Sequence, residues 1–259
     1  MNCIIKRRFS RSSANYDSNA IAQKEIAKKL FSFIKGNLLP CEYERKLSML
    51  EIGCGTGNLT AKLNNIPHSL FIINDLCEIY KDRIFEKISP VEFAKAGNYF
   101  IFDNAEEVIK KLDNRFDLIA SASMLQWINR PLTFLKDCRP LLKEGGMLAV
   151  STFAPGNLKE VGHITGEGLK YLPASRYYGE LKDEYDILLI KEEDIELRFA
   201  SPLEILKHLK HTGVNAVSHQ TWTRSKLDSF CMEYKNHFKG KDGLYPLTFK
   251  PLYIILRAK

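Results

Sequence analysis

Long hydrophobic runs are absent from this chain of 259 residues. Its longest apolar stretches, such as residues 118–122 and 147–150, are far shorter than the ~20 residues that a bilayer-spanning helix requires. The first eight residues, Met1 to Arg8, also lack the apolar segment of a secretory signal. We therefore expect a cytoplasmic protein that has no membrane partner.

Cysteines are few and scattered. The six of them form no C-x-x-C pair, and no Cys/His cluster has the spacing of a zinc site. We expect neither a disulfide framework nor a metal site. Internal repeats and low-complexity tracts are also missing, and 45% hydrophobic with 27% charged residues is typical of a globular protein.

Basic residues are concentrated at the two ends of the chain. Residues 1–50 carry ten Lys/Arg against four Asp/Glu, and residues 201–259 carry the same numbers, so each end has a net charge of +6. Residues 51–200 carry 18 against 23, a net charge of −5. The ends are either ordinary solvated surface or a positive surface for an acidic macromolecule, and the acidic centre suits a cationic small molecule.

The central part of the chain alternates short apolar runs with amphipathic segments. This alternation predicts βαβ units and an α/β fold with a doubly wound, mostly parallel sheet. Strands are predicted at residues 47–52, 69–74, 99–102, 116–121 and 146–153, and helices at 58–63, 77–87, 104–112 and 131–142. The pair Gly145-Gly146 is predicted to form the turn into the fifth strand.

Further elements flank this core. A helix at residues 14–34 makes residues 1–45 an N-terminal helical lid, with Gly36 and Pro40 at the helix exit. Residues 46–259 form the main domain, in which 155–175 are a helical lid insertion and 201–240 a helical segment on the substrate side. Within that segment we predict helices at 201–211 and 225–238, with a strand before it at 187–199 and a strand after it at 249–256.

The most informative motif is a glycine loop at the end of the first strand. Glu51, Gly53, Cys54, Gly55 and Gly57 follow one another with glycines at every second position, which lets the backbone pass close to a ligand. The spacing is G-x-G-x-G, whereas the dinucleotide fingerprint is G-x-G-x-x-G. The carboxylate before the first glycine would repel a pyrophosphate and suits an ammonium group.

Polar residues also end the next two strands. Asp75 lies 18 residues after Gly57, close to the usual ~20-residue distance of a carboxylate that accepts ribose hydroxyls. Asp103, Asn104 and Ala105 end the third strand, where a polar side chain could bind an adenine amine, and either Asp103 or Asn104 is the candidate. These strand ends meet at the carboxyl edge of the sheet and together fit a nucleoside that carries an amino acid.

This pattern resembles the class I S-adenosylmethionine-dependent methyltransferases over residues 46–153. The resemblance implies a Rossmann-like fold and S-adenosyl-L-methionine as cofactor. It places ten residues around that cofactor: Glu51, Gly53, Cys54, Gly55, Gly57, Asp75, Asp103, Asn104, Ala105 and Ser121.

A closer resemblance covers almost the whole chain. Five segments look like the signatures of the malonyl-acyl-carrier-protein O-methyltransferases of biotin synthesis: residues 9–17 followed by Ala20 and Gln23, and residues 121–127, 151–160, 206–216 and 247–253. The resemblance implies methylation of the free carboxyl of malonyl-acyl-carrier protein or malonyl-CoA. That carboxyl has a pKa of ~4 and is already ionised at neutral pH, so no general base is needed.

Three residues are the catalytic candidates on this reading. Tyr16, in the N-terminal helix, could close over the cofactor and direct its hydroxyl toward the methyl group or the acceptor. Gln126 and Trp127 follow the fourth strand and would face the methyl group, although Trp127 could equally pack the strand end.

The acceptor carboxylate also needs a cation. Arg130, Arg176 and Arg198 are candidates, and the sequence does not select one. His208 and His211 are expected to be surface residues of one helix, without a third metal ligand. Six lysines of the basic C-terminal region could dock an acidic carrier protein: Lys207, Lys210, Lys226, Lys235, Lys239 and Lys241.

Two other functions remain open from the sequence. One is a methyltransferase for another small carboxylate or for tRNA, since basic ends also suit phosphates. The basic stretches lack the aromatic interleaving that favours single-stranded RNA, so no nucleic-acid partner is expected. The other is a cofactor-binding module without catalysis, which the intact glycine loop disfavours.

Overall fold

The protein is built around a seven-stranded sheet. The computed structural model describes residues 19–95, 97–212 and 222–259. The strands are β1 (Leu47–Ile52), β2 (His68–Asp75), β3 (Tyr99–Phe102), β4 (Phe116–Ala122), β5 (Leu142–Phe153), β6 (Tyr185–Glu192), β7 (Ile195–Phe199), β8 (Tyr245–Phe249) and β9 (Pro251–Ala258). The large sheet has the order β3-β2-β1-β4-β5-β9-β6, with β1 to β5 parallel and β9 antiparallel to β5 and β6. The predicted doubly wound, mostly parallel sheet is confirmed.

Helices cover both faces of this sheet. They are α1 (Ile21–Asn37), α2 (Pro40–Tyr43), α3 (Thr60–Leu63), α4 (Lys81–Phe85), α5 (Pro90–Lys95), α6 (Ala105–Lys111), α7 (Pro131–Asp137), α8 (Lys159–Thr165), α9 (Ala174–Leu181), α10 (Pro202–His211) and α11 (Arg224–Phe238). Since both faces are covered, all six residues of β1 are buried. Leu47 and Met49 join the hydrophobic cluster on one face, and Leu50 and Ile52 join the cluster on the other.

The N-terminal helix differs in extent from its prediction. α1 continues to Asn37, so Gly36 lies inside the helix and does not mark its exit. Its apolar positions Ile26, Leu30 and Ile34 are fully buried in the core cluster, which fixes the helix against the sheet. Residues 14–18 of the predicted helix lie outside the described residues.

Two predicted strands are each divided between two sheets. The prediction of a single strand at 187–199 is wrong, because this stretch forms β6 in the large sheet and β7 in a two-stranded sheet with β8. The stretch 249–256 is likewise divided between β8 and β9. Lys250 causes the second break: its carbonyl accepts from Ala154 N at 2.9 Å, and its N–H donates to Asn157 Oδ1 at 2.9 Å. Both backbone groups are therefore used by the loop after β5.

The predicted turn at Gly145-Gly146 is also wrong. Both glycines lie within β5, which begins at Leu142 and pairs there with Phe116. A Cβ on Gly146 would lie 2.9 Å from the carbonyl oxygen of Phe116, so the glycine permits a close backbone approach at a register irregularity. The helix predicted at 131–142 accordingly ends early, as α7 and a short 3₁₀ turn at Arg139–Leu141.

Two further helices are shorter than predicted. The helix predicted at 77–87 is a 3₁₀ turn at Glu78–Tyr80 followed by α4, and the helix predicted at 58–63 is reduced to α3. Helix α5 had no sequence prediction. Among the described residues, no helix is both long and apolar enough to cross a membrane.

The two-stranded sheet lies at the carboxyl edge of the parallel strands. β9 runs antiparallel to β5, and its first residue, Pro251, pairs with the last residue of β5, Phe153. The segment that precedes β9 therefore enters at the edge where β5 ends. Helices α10 and α11 pack against β7 and β8 and so belong to this edge as well.

Candidate functional site

The carboxyl edge of the sheet carries a large cavity where the strand order reverses, between β1 and β4. It encloses about 1080 Å³ of empty space, including the part that is open to solvent. The loops after β1, β2, β3 and β4 line it together with α1. Ligands of open α/β sheets bind at this switch point, so the position alone makes the cavity the candidate site.

The glycine loop after β1 forms the floor of the cavity. Gly53, Gly55 and Gly57 have φ angles of +71°, +52° and +83°, a region that glycine adopts without strain. A Cβ on Gly53 would lie 2.4 Å from Met124 Cγ, and one on Gly57 would lie 2.9 Å from Ile84 Cγ1. A Cβ on Gly55 would have no described atom within 4 Å. Gly53 and Gly55 line the cavity, whereas Gly57 does not and serves the packing of α4.

Asp75 ends β2 and points its carboxylate into the cavity wall. Oδ2 accepts from Gly55 N and Oδ1 accepts from Cys77 N, both at 2.8 Å. Burial raises the pKa of Asp75, and these two backbone bonds oppose the rise. Oδ2 also accepts a weak hydrogen bond from Cys54 Sγ at 3.9 Å. Cys54 also lines the cavity, and burial raises the pKa of its thiol, which therefore stays protonated.

Glu51 is the most deeply buried titratable residue of the site. The residue is 1% exposed, and its Oε2 atom has no hydrogen-bond partner among the described residues. Burial, together with the nearby charge of Asp75, raises the pKa of Glu51 to about 8. An acceptor in this state binds a cationic donor well, because the donor would satisfy both its charge and its unused hydrogen-bonding capacity.

The end of β3 distinguishes its two candidate residues. Asn104 and Ala105 line the cavity, and Asn104 Oδ1 caps α6 by accepting from Glu106 N at 3.0 Å. Asp103 is not a cavity residue; its side chain is exposed and pairs with Lys111 at 3.1 Å. The pKa of Asp103 is lowered by the backbone N–H of Asn104 and by Lys111.

The loop after β4 contributes residues that the sequence did not single out. Ser121, a predicted cofactor residue, is buried outside the cavity, and its hydroxyl donates to Ile52 O at 2.7 Å, which ties β4 to β1. That placement argues against a cofactor contact. Ser123 lines the cavity with a φ of +54°, a region that non-glycine residues rarely adopt, and its Oγ has no partner among the described residues.

Of the two catalytic candidates in this loop, Trp127 lines the cavity and Gln126 does not. Gln126 Nε2 donates to Ser123 O at 2.6 Å, so Gln126 supports the conformation of the loop. Tyr16, the third catalytic candidate, lies outside the described residues.

The N-terminal helix supplies a site residue, Gln23, to which the sequence analysis gave no role. Gln23 is 8% exposed and lines the cavity, as does Ala27 one helical turn later. The signal was available: a polar Gln23 lies between the buried apolar positions Ala22 and Ile26. A polar residue on the buried side of an amphipathic helix is a marker of a site.

The arginines proposed for the acceptor carboxylate lie outside the cavity, and His208 is buried. Arg176 pairs with Glu180 and Arg198 with Glu196, while Arg130 is exposed, and no one of the three is among the cavity residues. Expecting His208 on the surface is wrong, because it is 4% exposed and packs against Phe199 and Phe249. Burial lowers the pKa of His208 to about 4.

The cavity as a whole is acidic. Glu51, Asp75 and Glu106 line it, and its described lining contains no Lys or Arg. In the described part of the chain, no group of three His, Cys, Asp or Glu residues could hold a metal ion. The unpartnered Glu51 oxygen, the open space above Gly55 and the oriented Asp75 carboxylate fit a cationic nucleoside that carries an amino acid.

The chain is similar to known methyltransferases in sequence. Residues 50–150 match the family model described as a methyltransferase domain. A malonyl-acyl-carrier-protein O-methyltransferase of Haemophilus ducreyi is 37% identical over 97% of this chain and 95% of its own length. The protein of that name from Haemophilus influenzae is 35% identical over 98% and 93%.

Solved structures are similar in fold. The YcgJ protein of Bacillus subtilis has a TM-score of 0.58 at 13% identity and covers 89% of this chain and 97% of its own. The N-methyltransferase NodS of Bradyrhizobium japonicum, solved in complex with S-adenosylhomocysteine, has a TM-score of 0.52 at 13% identity and covers 98% of both chains. At this identity the likeness concerns the fold alone.

Proposed function

The chain belongs to the malonyl-acyl-carrier-protein O-methyltransferase family, and on that premise we propose that it methylates the free carboxylate of a malonyl group on acyl carrier protein. S-adenosylmethionine is the methyl donor, and the malonyl methyl ester enters biotin synthesis. The observation that carries this function is the acidic, glycine-floored cavity with its unpartnered Glu51 oxygen. It suits a donor that is a cationic amino-acid nucleoside.

S-adenosylmethionine supplies an electrophilic methyl group on a sulfonium when it is bound. Four residues that line the cavity would hold it: Asp75 for the ribose hydroxyls, Asn104 for the adenine, Glu51 for the amino-acid end and Gly55 for close backbone approach. These assignments are proposals from their positions at successive strand ends.

The chain's own contribution to rate is orientation and exclusion of water. The acceptor carboxylate is ionised at neutral pH, so it needs no base to activate it. Met124, Trp127 and Ile128 form an apolar wall of the cavity, which would keep water from the reacting charges. Positioning two reactants in this way is worth ~7–11 kcal/mol in intramolecular analogues.

The carrier protein would dock at the basic carboxyl edge. The six candidate lysines on α10, on α11 and after α11 are exposed. They share this edge with the cavity, so a carrier bound to them would present its acyl group near the site. An acidic carrier would be attracted to this surface by charge, and the attraction would weaken with salt.

Labelled S-adenosylmethionine tests the function with a panel of acceptors. Malonyl-carrier protein should yield a base-labile methyl ester, whereas acetyl-carrier protein has no free carboxyl and should stay unlabelled. Comparison with malonyl-CoA measures the preference for the carrier, and comparison with succinyl-carrier protein measures the preference for acyl chain length. Label in tRNA alone would overturn the proposal. Turnover of malonyl-carrier protein should fall with salt more steeply than that of malonyl-CoA, and equal falls would refute the docking surface.

A further inference from the structure

Ser123 follows β4 directly and has a backbone conformation that serine rarely adopts. Its φ is +54°, and the residue lines the cavity. Hydrogen bonds on both sides hold this conformation: Ser123 N donates to Ser151 O and Ser151 Oγ, both at 3.1 Å, and Ser123 O accepts from Gln126 Nε2 at 2.6 Å. Residues kept in rare conformations by their neighbours are concentrated at active sites and ligand clamps.

The side chain of Ser123 has hydrogen-bonding capacity that the protein leaves unused. Its Oγ atom is buried and has no partner among the described residues. Ser151 Oγ, in contrast, accepts from the Ser123 N–H. A hydroxyl can donate one hydrogen bond, and leaving it buried and unsatisfied is costly. An unpartnered hydroxyl on a cavity residue therefore points to a ligand that satisfies it.

The strand order places Ser123 on the opposite side of the glycine loop from the proposed adenine and ribose residues. The sheet edge runs β3-β2-β1-β4, so Asn104, Asp75, the glycine loop and Ser123 follow one another along it. The loop after β4 lies directly against the glycine loop, because a Cβ on Gly53 would be 2.4 Å from Met124 Cγ. The proposed cofactor residues occupy the ends of β1, β2 and β3. The end of β4 is the one that they leave for the acceptor.

The charge of the cavity determines which kind of group can hold this acceptor. The malonyl carboxylate is an anion, and the described lining contains Glu51, Asp75 and Glu106 but no Lys or Arg. Neutral hydrogen-bond donors are therefore needed to hold it there. A hydroxyl donates one hydrogen bond and adds no charge, so the carboxylate keeps the electron density that makes it a nucleophile.

We propose that Ser123 Oγ donates a hydrogen bond to the carboxylate of the malonyl group and so holds the acceptor for methyl transfer. This inference rests on the proposed function for the identity of the acceptor. In the transfer, a carboxylate oxygen forms a bond to the methyl carbon while the carbon–sulfur bond breaks and its electron pair returns to sulfur. The negative and the positive charge disappear together, and no proton moves.

The loss of charge during the reaction predicts which kinetic constant depends on Ser123. The carboxylate is more negative in the bound substrate than in the transition state, so the hydrogen bond is stronger before the transfer. A variant without the hydroxyl should therefore have a higher KM for the malonyl acceptor, with kcat changed less.

Calorimetric titration of the S-adenosylhomocysteine complex with malonyl- and acetyl-carrier protein tests the proposal. In Ser123→Ala, the Kd for malonyl-carrier protein should rise about 10-fold, as for the loss of a hydrogen bond to a charged group. Acetyl-carrier protein has no free carboxyl, so its Kd should stay within about twofold, as should the Kd for S-adenosylhomocysteine. In turnover, KM for malonyl-carrier protein should rise by the same factor while kcat stays within about threefold.

A second variant separates the hydroxyl from the backbone conformation. Glycine adopts a φ of +54° without strain, so Ser123→Gly keeps the loop conformation and removes only the hydroxyl. We expect the same 10-fold rise as in Ser123→Ala. Ser69→Ala is the control: it removes a hydroxyl that donates to Leu47 O at 3.5 Å at the start of β2, at the opposite end of the sheet. It should change none of these constants.

Four results would overturn the proposal. They are an unchanged Kd for malonyl-carrier protein in Ser123→Ala, an equal rise for acetyl-carrier protein, a fall in kcat with unchanged KM, and wild-type affinity in Ser123→Gly. The last result would assign the effect to the backbone. Failure of the proposed function looks different, because the wild-type protein itself then forms no methyl ester from malonyl-carrier protein.

Discussion

The carboxylate of Asp75 is hydrogen-bonded to the backbone of Gly55, with Oδ2 2.8 Å from the glycine nitrogen although the residues are 20 positions apart. The bond joins the end of β2 to the glycine loop after β1. The other carboxylate oxygen, Oδ1, accepts from Cys77 N. One side chain therefore shapes two loops of the cavity and also faces the ligand space between them.

Asp75→Asn should weaken cofactor binding strongly. The amide places an NH₂ group against one of two backbone N–H donors, so one bond is lost and one ligand acceptor disappears. We expect the Kd for S-adenosylhomocysteine to rise about 10- to 100-fold, measured by calorimetry. Asp103→Asn is the control one strand away, where the exposed side chain pairs with Lys111, and its Kd should match the wild type.

Gly55→Ala should abolish cofactor binding while the protein still folds. The residue has a φ of +52°, so adding a Cβ costs about 1–2 kcal/mol of stability. The Cβ would also occupy the open space through which a ligand contacts the backbone of Gly55. Gly166→Ala carries the same backbone strain at a φ of +67° and also has no described atom within 4 Å of its Cβ. We expect the two variants to lose similar amounts of Tm, and we expect only Gly55→Ala to lose cofactor binding. Equal binding by both would contradict the role of Gly55.

Cofactor affinity should rise with pH between 6 and 8. Burial raises the pKa of Glu51 to about 8, so the unliganded side chain is largely protonated at neutral pH. Binding a cation favours the ionised form and releases this proton, and the affinity increases until the pH reaches that pKa. Titrations in two buffers of different ionisation enthalpy will measure the released proton.

Glu51→Gln provides the comparison for this pH effect. Its affinity should be lower and nearly independent of pH over the same window. The sign for stability is opposite: the folded pKa lies above the ordinary value of 4.5, so the unliganded wild type loses stability as pH rises toward 8. Glu51→Gln should lose less stability than the wild type over the same pH range. A pH-independent affinity of the wild type would contradict the protonated state of Glu51.

His208 should destabilise the fold in mild acid. Its pKa is lowered from 6.5 to about 4 by burial against two phenylalanines, so the unfolded chain binds a proton that the folded protein does not. The free energy of unfolding, measured with urea, should fall as pH drops from 6.5 toward 4, and this fall should be smaller in His208→Phe. His211→Gln, on the same helix, should retain most of the fall in unfolding free energy. An equal reduction of the fall in both variants would refute the assignment.

Tyr16→Phe should lower turnover with little change in cofactor affinity. The prediction follows from the resemblance, in which the hydroxyl of this residue faces the methyl group or the acceptor carboxylate. Single-turnover rates with malonyl-carrier protein, set against calorimetric Kd values for S-adenosylhomocysteine, separate the two effects. A fall in affinity as large as the fall in rate would reduce Tyr16 to a packing role.

Local patterns in the sequence were sufficient for most of the sheet. The five parallel strands follow from apolar runs that are bounded by polar and glycine residues, and the site loops follow from their place at strand ends. Patterns failed where backbone pairing was decided by distant partners. Lys250 reads as part of one continuous strand, yet its N–H and C=O bond to Asn157 and Ala154, and the strand is divided there.

Burial of single polar side chains was also missed from the sequence. His208 follows Ile205 by three positions and so lies on the buried face of α10, where Phe199 of β7 and Phe249 of β8 contact its ring. Asp103 and Asn104 are neighbours with equal claims in sequence, and the start of α6 turns Asn104 to the cavity and Asp103 to Lys111.

The sequence by itself determined the family, the glycine loop and the acidic strand ends, because these depend on residue types at short, fixed spacings. The tertiary structure decided which of these residues share the cavity and added Gln23 from a helix that precedes them all. Contacts between distant segments are set by how helices and strands pack, and that packing is a property of the whole chain. The pairing of Gln23 with Glu51 in one cavity is therefore visible only in the folded protein.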